Sequence, residues 1–485
     1  MARLRAHPGL AGKRAIVLLQ GGEQGHLYDT DVEPVFRQES FFHWLFGVRE
    51  PDFLGALDVE SGAATLFAPL LDPSYEVWCG ALKGPEEIRQ QYLVQEVVMV
   101  DQEQPGLPQL GAWLEDRKQQ AVFLTLRGVN SDSGRQAIEL TSSRVPSLAN
   151  CTVEASVLWG EMSDLRAVKT AAEVEVLRYV CRVSSEAHDE VMRRARPGMM
   201  EYQLESLFRH FVYAAGGCRH VGYTCICCSG PNAAILHYGH AAAPNDRQFK
   251  EGDIMMLDMG GEYGCYTADI SCSWPASGRF SPLQKAVYEA VAAAQRAVIS
   301  AMRPGASWPD LHLLAEEVLL THLQSPPLSV IPAAADLSAA RSARLAAVFM
   351  PHGLGHLLGI DVHDAGGYLP HTPARSPLAG LKSLRTARLL EAGMVLTVEP
   401  GLYFIDCLLD KALADPLLAP FLLPEALQRL RGFGGVRLED DVLVTPDGAE
   451  NLTLCPRTTE AVEALMAEGR LKYPRDFVNI QQQFF

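Results

Sequence analysis

The chain has 485 residues, 48% hydrophobic and 21% charged, with 42 basic against 58 acidic side chains and a formal net charge of -16. A chain of this length exceeds what one hydrophobic core supports, so two domains are expected. The acidic balance disfavours nucleic acid or an anionic membrane as a partner, because both need a basic face, and the longest apolar runs, such as AIVLL at 15–19, are too short to span a bilayer.

The N-terminal segment MARLRAHPGLAGKR is basic but lacks the apolar centre and small-residue cleavage site of a secretory signal. The eleven cysteines follow no framework spacing, which points to reduced thiols and a cytoplasmic location. Residues 1–155 read as an α/β domain. AIVLLQGG is a strand entering a glycine turn, FLGALDVESGAATLFAPL is a hairpin turning at Ser61-Gly62, and AVFLTLRG at 121–128 is a further strand. Residues 156–170 read as a linker, and residues 171–485 as an α+β domain of different texture.

In that second region Thr170 and Glu173 form a capping box that opens an amphipathic helix running to about Arg196. Pro197-Gly198 stops it, and EYQLESLFRHFVYAA forms a second helix ended by Gly216-Gly217. The order then recurs: Ser281-Pro282, with Gln284 at the box position, opens a helix to Met302, Pro304-Gly305 stops it, and PDLHLLAEEVLLTHL follows. Long helix, Arg-Pro-Gly, shorter helix, then strands, twice over, suggests an internally duplicated unit. Cys225, Cys227 and Cys228 in TCICC read as an apolar strand and not as a zinc site, because no second CxxC or His pair completes one.

The chemistry lies in four carboxylates and one histidine in fixed order: Asp258 in LDMGGEY, Asp269 in YTADISCSW, His356 in PHGLGHLLG, Glu399 in TVEPGLY and Glu439 in GGVRLEDDV. Acids within apolar runs are costly unless paired. Several converging acids would need cations between them, so the set reads as a two-metal hydrolytic site. IMMLDMG and YTADISCSW read as strands joined at GEYGC; a turn centred on Tyr263-Gly264 would set Asp258 directly opposite Asp269. Two such carboxylates suit a metal pair roughly 3.5–4 Å apart. Gly353 and Gly355 would let the backbone approach the metals, and His352 is expected to support the site or to pack. A hard, oxygen-rich donor set suits Mn²⁺, Co²⁺ or Fe²⁺ better than structural zinc.

Together these motifs resemble the prolidases, the Xaa-Pro dipeptidases of the pita-bread metallopeptidase family, and in particular the animal-type enzymes. RQESFFHWLFGVREP, YTCIC, ILHYGHAAAPNDR, LDMGGEY, FMPHGLGHLLGIDVHD, LRTAR, MVLTVEPG and GFGGVRLED carry the resemblance over nearly the whole chain. It implies an N-terminal domain like that of the creatinase and aminopeptidase P enzymes, then a pita-bread catalytic domain with pseudo-twofold duplication. The implied enzyme is a cytoplasmic, homodimeric, dinuclear manganese hydrolase that cleaves dipeptides with a C-terminal proline, by attack of a hydroxide bridging two divalent metal ions. Asp258, Asp269, His356, Glu399 and Glu439 would bind metal, with Asp269 and Glu439 bridging. Glu399 would also shuttle the proton, His363 would stabilise the oxyanion, and His237 and Arg385 would meet the substrate's terminal carboxylate. Trp78 is a candidate contact with a partner subunit, the alternative being burial in its own core. Cys228 stands where the family usually has glycine. An Xaa-Pro aminopeptidase on longer peptides and a non-catalytic pita-bread binding module remain the competing readings; Arg385 and the insertion at 406–431 favour the dipeptidase.

Overall fold

The computed structural model describes residues 1–239 and 245–473. Contacts divide the chain into two units, Met1–Leu165 and Arg166–Phe485. The stretch expected to be a linker contains a helix, Leu158–Ala167.

The first unit is built on a six-stranded mixed sheet in the order β4-β3-β2-β1-β5-β6, with β1 Arg14–Gln20, β2 Leu54–Asp58, β3 Ala64–Pro69, β4 Glu96–Val100, β5 Ala121–Leu124 and β6 Thr152–Glu154. The apolar run of β1, AIVLL, is buried throughout, and only the polar ends of the strand, Arg14 and Gln20, are not. The expected hairpin is β2–β3. Asp58 closes it, its Oδ1 accepting from the backbone N–H of Glu60 and Ser61, both at 2.9 Å. Trp78 is 83% exposed, so it is not part of a core.

The second unit contains the two helix pairs in the expected order. Thr170 and Glu173 form the capping box of the helix Ala171–Arg194, and Ser281 and Gln284 form that of Pro282–Ala301. Each long helix is followed by a shorter one packed against it, Glu201–Gly216 and Trp308–Gln324. Their buried faces, which include Leu177, Cys181, Phe208, Val287, Val291 and Leu319, join one core with the strands.

The strands repeat as well. In the first half β7 is His220–Val221, β8 Ile226–Ser229, β9 Ile254–Asp258, β10 Gly261–Tyr263, β11 Tyr266–Thr267 and β12 Ser271–Pro275. In the second half β13 is Val395–Val398, β14 Gly401–Tyr403, β15 Gly435–Arg437, β16 Asp440–Val444 and β17 Ala449–Asn451. Each half is a long antiparallel hairpin broken once on each arm. In the first, β9 pairs with β12 and, beyond the breaks, β10 with β11. In the second, β13 pairs with β16 and β14 with β15. The first hairpin closes at Gly264 and Cys265, both with positive φ (56° and 67°), a primed turn that matches strand twist. The second opens at the same place into the insertion, which carries the helices Asp406–Ala414 and Pro424–Gln428. The strand expected at TCICC is β8, which starts just after Cys225, and Cys225, Cys227 and Cys228 are all buried.

That turn corrects one expectation. Its centre lies one residue further along than Tyr263-Gly264, because Cys265 adopts the left-handed region. Asp258 therefore pairs across the ladder with Ser271, not Asp269.

Candidate metal centre

All four carboxylates sit at breaks in the two hairpins. Asp258 ends β9 and Asp269 lies between β11 and β12, while Glu399 follows β13 and Glu439 lies between β15 and β16. A break in a ladder re-aims side chains out of the sheet plane, as a bulge does. Gly260 permits the first: a Cβ there would meet the Ala268 carbonyl oxygen at 1.7 Å. Asp258 and Glu399 are thus counterparts in the two halves, as are Asp269 and Glu439. The halves join where the Glu439 N–H donates to the Ser271 carbonyl at 3.1 Å.

His356 lies on an irregular segment hydrogen-bonded along β13. Thr397 N–H donates to the His356 carbonyl at 2.9 Å and Glu399 N–H to the Leu354 carbonyl at 2.8 Å. Gly355 allows this contact, since a Cβ on it would lie 2.0 Å from the Thr397 carbonyl oxygen. Gly353 would likewise meet the Ser383 carbonyl oxygen at 2.9 Å. Both glycines let backbone segments pack closely here, and both line the cavity that gathers the five residues.

The five residues meet in one cavity of about 290 Å³, which His237, His352, His363, Arg385 and Arg437 also line. Asp269, His356 and Glu439 each offer a ligand atom within 4.8 Å of the others. His356 Nε2 lies 3.2 Å from Asp269 Oδ2 and 3.7 Å from Glu399 Oε1. The Asp258 and Asp269 carboxyls lie close enough to perturb each other's protonation. His363 stands edge-on to His356 with ring centroids 4.4 Å apart.

Burial and then charge crowding set the protonation of the site. Burial, then the neighbouring Asp258, drives the Asp269 carboxyl well above its usual range. Burial, then Asp269 and Glu399, does the same to Glu439. Burial pushes Glu399 up to about 7 against the opposing charges of His356 and Arg437. Asp258 goes the other way: the Arg437 guanidinium and Tyr223 hydroxyl, each donating at 2.6 Å, outweigh its burial. The protein alone therefore does not carry four carboxylates in ionised form. A hard, multiply charged cation would, which is how this donor set fits divalent metal.

Several residues of this network were not among those expected. Arg437 donates to Asp258, to Ser271 Oγ at 2.8 Å and to Tyr403 Oη at 2.8 Å, and Ser271 Oγ in turn donates to Glu439 Oε2 at 2.7 Å. His352, for which a supporting or packing role was expected, lies 3.1 Å from Tyr403 Oη and 3.6 Å from Glu399 Oε2, and burial with the Arg437 charge holds it down to about 3, so it is neutral. Asp441 Oδ2 accepts from the Asp269 N–H at 3.0 Å. Arg437 carries no local mark that singles it out: it ends β15, and the break at Leu438 and Glu439 separates it from β16.

Residues 175–446 match the model of Metallopeptidase family M24, and residues 1–120 match Aminopeptidase P, N-terminal domain. The chain belongs to metallopeptidase family M24. It is 52% identical to the Xaa-Pro dipeptidase of Homo sapiens over 96% of this chain and 91% of that protein. It is 31% identical to a probable Xaa-Pro aminopeptidase of Sordaria macrospora over 95% of this chain and 93% of that one. Among solved structures, the Pseudomonas aeruginosa aminopeptidase PepP aligns with a TM-score of 0.76 at 30% identity, covering 97% of this chain and 98% of that one. The duplicated catalytic unit behind a separate N-terminal unit is the pita-bread architecture of these enzymes. Among the described residues no helix is long and apolar enough to cross a membrane.

Proposed function

We propose that the protein is a metal-dependent Xaa-Pro dipeptidase that hydrolyses dipeptides with C-terminal proline. The observation that carries this reading is the gathering of Asp258, Asp269, His356, Glu399 and Glu439 in one cavity with His237, His363 and Arg385. The strong similarity to Xaa-Pro dipeptidases along the chain supports it.

The five residues would hold two divalent ions, and Mn²⁺ suits so oxygen-rich a set. Bound there, such ions supply Lewis acidity and a nucleophilic water at neutral pH. Formal charge fits this occupancy: four carboxylates, one of them offset by Arg437, present the negative charge that divalent ions would neutralise.

The remaining steps belong to the chain's own groups. The Xaa-Pro bond is a tertiary amide without an N–H, so the substrate is held by its ends. The Arg385 guanidinium, a planar fork suited to a carboxylate, and His237 take the terminal carboxylate. Glu399 accepts the proton of the attacking water and returns it to the prolyl nitrogen as the C–N bond breaks. His363 donates to the carbonyl oxygen as it gains charge. A cytoplasmic homodimer is the setting proposed: all eleven cysteines are unpaired, and exposed Trp78 is available to a second copy.

An Xaa-Pro aminopeptidase is the second reading, favoured by the similarity to PepP. Kinetics on Gly-Pro and Gly-Pro-Ala separate the two. The proposal expects Gly-Pro to be the far better substrate; preference for the tripeptide would overturn it.

A further inference from the structure

We propose that Glu201 is a positioning residue for substrate recognition: it fixes the segment that carries His237 and so sets affinity for the dipeptide's terminal carboxylate. The inference rests on the reading of His237 given above.

Glu201 is the first residue of the helix Glu201–Gly216 and is fully buried. It does not line the metal cavity. Its Oε1 accepts from Ser229 Oγ at 2.5 Å and from Asn232 Nδ2 at 3.4 Å. Its Oε2 accepts from Tyr238 Oη at 2.7 Å and from the Arg247 N–H at 3.1 Å. These four donors lie on one stretch of chain, on both sides of His237, and Tyr238 is its immediate neighbour. Burying a carboxylate costs several kcal/mol unless such bonds compensate it, so Ser229, Asn232, Tyr238 and Arg247 are held where they satisfy this group.

A plain helix-capping role does not account for it. Gln203 closes the capping box of this helix, its Oε1 accepting from the Met200 N–H at 2.8 Å, while Glu201 turns away to the His237 segment. The same segment is tied a second time to the same helix: Asn245 Nδ2 donates to Glu205 Oε2 at 2.7 Å. The Arg247 guanidinium adds a bond to Ser229 Oγ at 2.5 Å and an ion pair with Asp253 at 2.6 Å. Among the described residues, the side-chain and backbone donors to this carboxylate are Ser229, Asn232, Tyr238 and Arg247, so it acts on substrate through the residues that flank His237.

Glu201→Gln keeps the shape but sets an amide NH₂ against hydroxyl and N–H donors. The test is a double-mutant comparison of Glu201→Gln, His237→Ala and the combined variant on Gly-Pro, with bound metal measured for each. We expect Glu201→Gln to raise KM about tenfold, as for loss of a hydrogen-bonded charged group, with kcat and metal content close to wild type. In the His237→Ala background it should raise KM no further. Tyr238→Phe, which removes one donor and leaves the carboxylate, should raise KM by a smaller factor and carries the test if Glu201→Gln does not fold. A Glu201→Gln effect that adds fully to His237→Ala, or a joint fall in kcat and metal content, would overturn the inference. If His237→Ala itself leaves KM unchanged, the reading of His237 falls and this inference falls with it. If His237→Ala raises KM and neither Glu201→Gln nor Tyr238→Phe does, only this inference falls.

Discussion

At the scale of single residues the site is defined by carboxyl groups that the fold holds against their electrostatic interest. The sign of the pH dependence follows. In the metal-free protein Glu399 titrates near 7 instead of 4.5, and Asp269 and Glu439 are displaced in the same direction. The folded state then binds more protons than the unfolded chain. This contribution is fully present below the ordinary carboxyl value and is lost as pH rises through the folded one. Divalent metal binds the deprotonated groups and reverses the trend. The difference in Tm between metal-loaded and metal-free protein should therefore widen from about pH 5 to about pH 8; a constant difference would contradict this. Arg385→Ala should raise KM for Gly-Pro roughly a hundredfold, as for loss of a bidentate charged contact, while changing hydrolysis of Gly-Pro-Ala little. Equal loss on both substrates would remove Arg385 from the carboxylate's path. The five proposed ligands were legible because each is an acid or histidine in a largely apolar setting, and all but Asp269 have a glycine or proline close by. Arg437, Tyr223, Tyr403 and Asp441 were not, since a lone tyrosine or arginine in a strand has many ordinary explanations and only its partners give it meaning.

At the scale of elements, the breaks are what turn four ordinary strands into a site. The close approaches at Gly260 and Gly355 leave no room for a side chain. Gly355→Ala would force the His356 segment off β13. It should destabilise the second unit by about 3 kcal/mol and lower metal affinity, measurable by denaturant unfolding and metal titration. An unchanged midpoint with unchanged metal binding would show that the segment can shift freely. Helices were read closely because capping boxes and Pro-Gly stops are local chemistry: Thr170 with Glu173 and Ser281 with Gln284 stand where the sequence pattern places them. The hairpin register was misread by one position at its turn, because nothing local signals that Cys265 will adopt positive φ. The breaks at Asp269 and Glu439 were equally hidden within what read as continuous strands.

At the scale of the whole molecule, duplication explains why ligands so far apart in sequence share one centre. Each half contributes one carboxylate from each arm of its broken hairpin, and the second half adds His356 on a segment laid beside β13. The first half closes its hairpin with a two-residue turn, whereas the second spends 406–431 there. The repeat was visible only as helix, Pro-Gly, helix; its strands share geometry and not residues, so the pairing of Asp258 with Glu399 and of Asp269 with Glu439 needed coordinates. The proposed chemistry makes the metal pair indispensable. The most direct measurement is bound metal and Gly-Pro hydrolysis on the same preparation, stripped by chelation and then titrated with Mn²⁺. The account predicts no turnover in the stripped protein and activity that rises to a plateau at two ions per chain. Full turnover without divalent metal, or a plateau with no ion retained, would contradict it.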